Sequence, residues 1–197
     1  MSLGYDPAQW FAQGHTEASA EAAWETWQAP YRQHLLLALA CLPRTASLYE
    51  VGCGAGPNLR LVQGAAPHIR LGGSEPSPAD RVWAESHLNL SLDAGALPET
   101  PATRWDVVLS CYVLAYATEA LAAAWLRQLP AATVLVMELG TRDQASFPHT
   151  GGTLPHYHHN YDRLFAATGW HLKWAWPLPY EHCATSPNLL LIAEREA

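Results

Sequence analysis

The sequence predicts an α/β fold, a single three-layer αβα domain in which helices cover both faces of a doubly wound, mostly parallel sheet. Three observations predict it. Short apolar segments of strand length alternate with helical patterns along the chain. Three glycines separate the first of these segments from a helical pattern that begins at Pro57. The chain has 197 residues, 49% of them hydrophobic, which suits one domain of six or seven short strands.

The elements are predicted in chain order from periodicity and from capping residues. The first is a helical region interrupted by Pro30, a residue that cannot continue a helix from inside it. The predicted helices are residues 18–41, 57–63, a helix capped by Ser77 with Pro78 in its first turn, 116–129 and 157–168. The predicted strands are residues 47–50, 69–74, 88–92, 105–114, 133–138, 170–176 and 188–194, and residues 141–155 are predicted as a long functional loop.

The segment after the first strand has the composition of a ligand-binding turn. Gly52, Gly54 and Gly56 stand at alternate positions, directly after the acid Glu50. Glycine adopts positive φ and lets a ligand approach the main chain closely. The following helix start offers unpaired N–H groups, and ligands of such sheets bind outside the carboxyl ends of the strands.

The glycine spacing disfavours a dinucleotide. The pattern G-x-G-x-x-G would place its third glycine at Pro57 when counted from Gly52, and at Leu59 when counted from Gly54. A nicotinamide-linked oxidoreductase, NAD(P)-dependent, therefore remains only as a weaker alternative.

A second acid follows at the distance that suits a ribose. Glu75 lies about twenty residues beyond the turn, at the end of the predicted second strand. A carboxylate presents two coplanar acceptors to neighbouring hydroxyl groups. The alternative is an ordinary loop acid before a capped helix.

The run Glu50-x-Gly52-x-Gly54-x-Gly56 resembles motif I of the class I S-adenosylmethionine (SAM) dependent methyltransferases, and residues 75–78 resemble motif II of that family. The resemblance implies that Glu50 holds the methionine ammonium group and that Glu75 holds the ribose. It also implies SAM as cofactor, S-adenosylhomocysteine (SAH) as product, and the strand order 3-2-1-4-5-7-6 with an antiparallel last strand.

The resemblance continues through the next two predicted strands. It implies that Pro76 packs on the adenine, that Asp93 accepts from the adenine amino group and that the N–H of Ala94 contacts the ring. Residues 105–114 resemble motif IV, which ends beside the cofactor. The predicted cofactor-binding residues are Glu50, Gly52, Cys53, Gly54, Gly56, Asn58, Glu75, Pro76, Asp93, Ala94, Ser110 and Cys111.

Composition favours a small-molecule methyl acceptor. The net charge is −7, the eleven basic residues are scattered, and Lys173 is the single lysine, so the clustered cations that bind nucleic acid are missing. Residues 110–113 also lack the Asn/Asp-Pro-Pro-Tyr run of DNA base methylases. A non-catalytic SAM-binding partner subunit remains the alternative from another class.

The candidate catalytic residues are His156, Tyr157 and His158, at a predicted helix start after the long loop. Histidine titrates near neutral pH and suits a general base for a protonated acceptor. A purely structural role is the alternative. His156 and His159 have helical i,i+3 spacing, but nothing completes a ligand set, so no metal site is predicted.

The chain is expected to divide at residue 44. Residues 1–44 are predicted as an N-terminal helical lid, with residues 5–14 covering the cofactor or substrate, and residues 45–197 as the methyltransferase core. No apolar stretch reaches membrane-spanning length, and the four cysteines form no CxxC pair. We therefore expect a cytoplasmic protein, a monomer or homodimer, with neither membrane nor nucleic acid as partner.

Overall fold

The computed structural model describes residues 15–42, 45–142, 147–149, 156–178 and 188–195. These residues form two compact units. In the described part of the chain, the first unit contains residues 15–96 and 105–108, and the second contains residues 97–104 and those from 109 onward. The predicted lid residues 5–14 lie outside the described residues.

The first unit alternates helices with strands. Its elements are α1 (Glu17–Trp24), a 3₁₀ turn (Glu25–Gln28), α2 (Pro30–Ala40), β1 (Ser47–Val51), α3 (Pro57–Ala65), β2 (Arg70–Ser74), α4 (Pro78–Leu88) and the first half of β3 (Trp105–Cys111). The predicted cap of α4 is confirmed, because the Ser77 hydroxyl accepts from the Asp80 N–H at 3.4 Å. All five residues of β1 are buried, as expected for a strand with both faces covered.

The second unit contains the remaining elements. They are the end of β3, a 3₁₀ turn (Leu114–Tyr116), α5 (Glu119–Gln128), β4 (Ala131–Thr141), β5 (Phe147–His149), β6 (His156–Asn160), α6 (Tyr161–Ala166), β7 (Trp170–Pro177) and β8 (Asn188–Arg195). None of the helices in the described part of the chain has the length and the apolar composition of a membrane span.

Six strands form a mixed sheet in the order β2-β1-β3-β4-β8-β7, and β6 pairs with the last two residues of β4 and carries β5 beside it. β8 runs antiparallel between β4 and β7, while β1 and β2 are parallel. A parallel bridge joins Asp93 to Ser74 at the end of β2 and occupies the third-strand position. The predicted fold class and strand order are therefore confirmed.

The predicted third strand over residues 88–92 is wrong. α4 continues to Leu88, and Asn89 ends it in the left-handed conformation, at φ 55°. Only Asp93, just beyond the predicted range, bridges to β2. Leu88 and Leu92 are both buried and stand four residues apart, so a helix end and a strand give similar hydrophobic patterns here.

The predicted loop over residues 141–155 and helix over residues 157–168 are wrong in part. Phe147–His149 forms β5, which pairs antiparallel with β6. β6 occupies residues where the helix was expected to begin, and the helix starts only at Tyr161. Asn160 provides the helix cap, because its Oδ1 accepts from the Arg163 N–H at 2.9 Å.

Candidate functional site

The glycine turn has the backbone that its sequence predicts. Gly52, Gly54 and Gly56 have φ of 58°, 56° and 83°, in the left-handed region that favours glycine. A Cβ built on Gly54 meets nothing within 4 Å, so the main chain there faces open space. A Cβ on Gly56 would lie 2.8 Å from Leu88 Cδ1, so this glycine allows α4 to pack closely.

Glu50 lies at the base of the turn and has one oxygen in use. It is 1% exposed, and its Oε1 accepts from Asn58 Nδ2 at 2.6 Å. Its Oε2 is buried and makes no hydrogen bond to the described residues. Burial raises the pKa of Glu50 to about 8, and the Asn58 hydrogen bond and the Arg32 charge oppose that rise. An unsatisfied buried carboxylate oxygen is costly, so this atom suits a cationic donor.

Glu75 is oriented by the turn itself. Its Oε2 accepts from the Gly54 N–H and its Oε1 from the Ser77 N–H, each at 2.7 Å. Burial raises its pKa, and these two backbone donors oppose the rise. Two bonds use only part of a carboxylate's acceptor capacity, so a pair of hydroxyl groups can still be accepted in its plane.

Asp93 and Ala94 are exposed beside the end of β2. The Tyr49 hydroxyl donates to Asp93 Oδ2 at 2.8 Å, and burial raises the pKa of Tyr49, which keeps it a donor. The Asp93 N–H donates to the Gly73 carbonyl at 2.9 Å, which fixes this strand end against β2. Pro76 is half-buried in the same unit.

Two further predicted residues of this unit are buried in its interior. The Cys53 side chain is 4% exposed, and burial together with the carboxylates of Glu50, Glu75 and Asp80 raises the pKa of its thiol well above the usual value. A thiol that stays protonated is a poor nucleophile. Asn58 is 2% exposed and bonds to Glu50 and Arg32, so its amide orients another residue.

Ser110 and Cys111 belong to the second unit, at the end of β3. Ser110 is fully buried and donates to Glu138 Oε1 at 2.9 Å, whereas Cys111 is half-buried. The next residue, Tyr112, has φ 56°, and its hydroxyl donates to Asn188 Oδ1 at 2.7 Å. The chain therefore turns sharply at this strand end.

Glu138, predicted from the sequence only as the end of a strand, holds this turn. Its Oε1 accepts from the N–H groups of Val113 and Leu114 at 2.7 and 2.9 Å, and its Oε2 accepts from the Ala115 N–H at 3.2 Å. Burial raises the pKa of Glu138 to about 7, although these donors and the Ser110 hydroxyl lower it. A buried carboxylate saturated by local donors stabilises one turn conformation.

The three candidate catalytic residues do not converge. In strand β6, His156 and His158 point to one face, with ring centroids 5.1 Å apart, and Tyr157 points to the other. His158 is fully buried, and His156 and Tyr157 are half-buried. The helical i,i+3 relation of His156 and His159 is also absent, because residues three apart in a strand face opposite sides.

His159 is a buried polar residue that was not among the candidate catalytic residues. Its Nε2 lies 2.9 Å from the Leu114 carbonyl and donates to it, and its ring stacks on Tyr157 at 5.9 Å. Burial lowers the pKa of His159, so the ring stays neutral. Among the described residues, no group of three or more His, Cys, Asp or Glu side chains could hold a metal ion.

The chain is similar to known proteins in structure and not in sequence. No protein-family model matches the chain, and no curated protein matches its sequence. DesVI from Streptomyces venezuelae is similar in structure, with a TM-score of 0.68 and 14% identity over 93% of this chain and 100% of that one. A SAM-dependent methyltransferase from Leishmania major has a TM-score of 0.69 and 14% identity over 98% of this chain and 87% of that one.

A third similar structure was determined with a ligand. Magnesium protoporphyrin IX methyltransferase from Synechocystis PCC 6803 with bound SAM has a TM-score of 0.60 and 17% identity, over 88% of this chain and 80% of that one. At such identities the likeness establishes the fold. The chain has the Rossmann-like fold of class I SAM-dependent methyltransferases.

Proposed function

We propose that this protein is a SAM-dependent methyltransferase that acts on a small molecule. The observation that carries the proposal is the Gly54 main chain, open to a ligand and flanked by the buried carboxylates of Glu50 and Glu75. Similar structures described as SAM-bound or SAH-bound support the same cofactor.

The residues of the first unit fit the cofactor group by group. The buried Oε2 of Glu50 suits the amino acid ammonium, and the Glu75 carboxylate, fixed by two backbone donors, suits the ribose diol. Asp93 is exposed and its orientation is set by Tyr49, which suits an adenine amino group. This set offers acceptors to a ligand rich in donors, as a nucleoside joined to an amino acid is.

The chemistry proposed for these residues is mainly positioning. When bound, SAM supplies an electrophilic methyl group on its sulfonium. Glu50 and Glu75 would fix the amino acid part and the ribose of the ligand, and alignment alone can contribute several kcal/mol, up to roughly 7–11 in ideal intramolecular cases. If the acceptor carries a proton, we propose His156 as the base, because it is the less buried of the two histidines on one face of β6.

The charge of the chain supports a small acceptor. The single lysine, Lys173, lies 3.7 Å from Glu194 Oε2, so a carboxylate already offsets its charge. A net charge of −7 opposes binding to a phosphate backbone.

Isothermal titration calorimetry with SAH and with NADH tests the cofactor assignment. We expect SAH to bind and NADH to give no heat, because Pro57 occupies the position of the third dinucleotide glycine. Transfer of label from methyl-labelled SAM to a panel of small hydroxyl, amine and thiol acceptors then tests catalysis. Binding of NADH in preference to SAH would contradict the proposal.

Alanine substitutions at Gly54 and Gly56 distinguish a glycine that leaves room for the ligand from one that allows close packing of α4. Gly54→Ala should cost about 1–2 kcal/mol of stability for its left-handed backbone, and its new methyl group should block SAH. Gly56→Ala should destabilise more, because its Cβ would also clash with Leu88 and Ala84. Thermal melts and SAH titrations measure both effects. Normal SAH affinity in Gly54→Ala would show that no ligand approaches this turn.

A further inference from the structure

An arginine links the N-terminal helices to the candidate cofactor site. Arg32, in α2, donates from Nη1 to Asn58 Oδ1 at 2.6 Å, and Asn58 donates from Nδ2 to Glu50 Oε1 at 2.6 Å. This relay runs Arg32–Asn58–Glu50. It fixes the Asn58 amide, because its oxygen must face the guanidinium and its nitrogen the carboxylate.

The guanidinium is itself held in place from the other side. Its Nε donates to the Thr26 carbonyl at 3.1 Å and its Nη2 to the Thr26 hydroxyl at 3.0 Å. Thr26 lies in the 3₁₀ turn between α1 and α2 and donates its own hydroxyl to the Ala23 carbonyl at 2.6 Å. The arginine fork therefore links the N-terminal helices to α3 with little freedom.

We propose that Arg32 is a positioning residue of the cofactor site, which acts through Asn58 to hold Glu50 so that Oε2 faces the ligand's ammonium group as an ionised acceptor. This inference rests on the proposed function. If Arg32 has this role, the helical segment 17–40 helps to orient a cofactor-binding residue and does not act only as a lid.

The charges around Glu50 set the direction of the effect. Arg32 and the Asn58 amide lower the pKa of Glu50, whereas burial and the neighbouring Glu75 raise it. The Cys53 thiol also lies near and stays neutral. Removing Arg32 should therefore raise the pKa of Glu50 further, and at neutral pH less of it would be ionised to receive a cation.

The test is the pH dependence of SAH affinity in Arg32→Met. In the wild type, SAH should bind more tightly as pH rises towards about 8 and then level off, because the ammonium binds the ionised carboxylate. In Arg32→Met the levelling should occur at higher pH. Affinity near neutral pH should then fall about tenfold for each pH unit by which the levelling point moves. The same ligand is used throughout, so its own titration cancels in the comparison.

Two controls separate positioning from general damage. 5′-Methylthioadenosine lacks the amino and carboxyl groups, so Arg32→Met should change its affinity little. Arg60→Met removes another arginine that packs on the same helices, over the rings of Trp24 and Trp27 and 3.1 Å from Glu25 Oε1. It should leave the pH profile of SAH binding unchanged, and Arg32→Lys should restore part of the wild-type profile.

The outcomes distinguish the inference from the function on which it rests. An unchanged SAH profile in Arg32→Met, or equal losses of SAH and 5′-methylthioadenosine, would overturn the positioning role alone. Failure of the wild type to bind SAH at any pH would instead overturn the proposed function.

Discussion

Replacing Glu50 with glutamine is expected to weaken SAH binding by roughly one to two orders of magnitude. This is the effect expected when one hydrogen bond to a charged group is lost. The buried Oε2 is the atom proposed to receive the ligand's ammonium, and a neutral amide offers it no charge. Calorimetric titration with SAH measures the loss.

The same substitution should stabilise the unliganded protein at alkaline pH. The pKa of Glu50 is about 8 in the folded state and 4.5 ordinarily, so the folded chain keeps a proton that the unfolded chain releases. The stability that this proton provides is complete below about pH 4.5 and is lost as pH rises through about 8. Glu50→Gln has no such loss. Its free energy of unfolding should therefore exceed that of the wild type by an amount that grows across this pH window to a few kcal/mol.

Urea unfolding of the unliganded proteins from about pH 5 to about pH 9 measures this difference. The exposed Glu99 provides a control, since Glu99→Gln should follow the wild type in both stability and SAH affinity. If the free energy of unfolding of Glu50→Gln depends on pH as that of the wild type does, Glu50 is not held protonated in the folded chain.

Replacing Glu138 with alanine is expected to give the largest loss of stability, about 4 kcal/mol or more. It would leave three backbone N–H groups and the Ser110 hydroxyl without their acceptor, at roughly 1–3 kcal/mol for each buried group left unsatisfied. Urea unfolding near pH 8, where this carboxyl is mostly ionised, measures the loss.

If Glu138→Ala does not fold, two milder variants still test whether the hydrogen bonds of Glu138 stabilise the turn after β3. Ser110→Ala removes one donor and should cost least, and Glu138→Gln keeps one acceptor oxygen and should be intermediate. A cost for Glu138→Ala no greater than that for Ser110→Ala would show that the turn after β3 does not depend on this carboxylate.

The local part of the structure could be predicted well from the sequence. Glu50, the glycine turn and the cap at Ser77 are each defined by residues within a few positions of one another. Glu50 lies in a strand, the three glycines of the turn have positive φ, and Ser77 caps α4. Short-range patterns also predicted the closing strands β7 and β8, whereas the order of the sheet was implied by the family resemblance.

The wrong predictions come from contacts between distant parts of the chain. His156–Asn160 is a strand because it pairs with β5 and with Gly140 and Thr141 of β4, which no pattern within the segment indicates. Glu138 bonds to N–H groups 23–25 residues earlier, and Arg32 reaches Asn58 across 26 residues. The polar side chain of Asn160 before a helix was the one local signal that could have corrected the helix start.

The most direct test of the proposed cofactor site is a crystal structure of the complex with SAH. We expect the ribose hydroxyl groups at the Glu75 carboxylate, the amino group at Glu50 Oε2 and the nucleoside chain over the Gly54 main chain. Density for SAH away from Glu75 and Gly54, or none at saturating ligand, would contradict the assignment of this turn as a cofactor site.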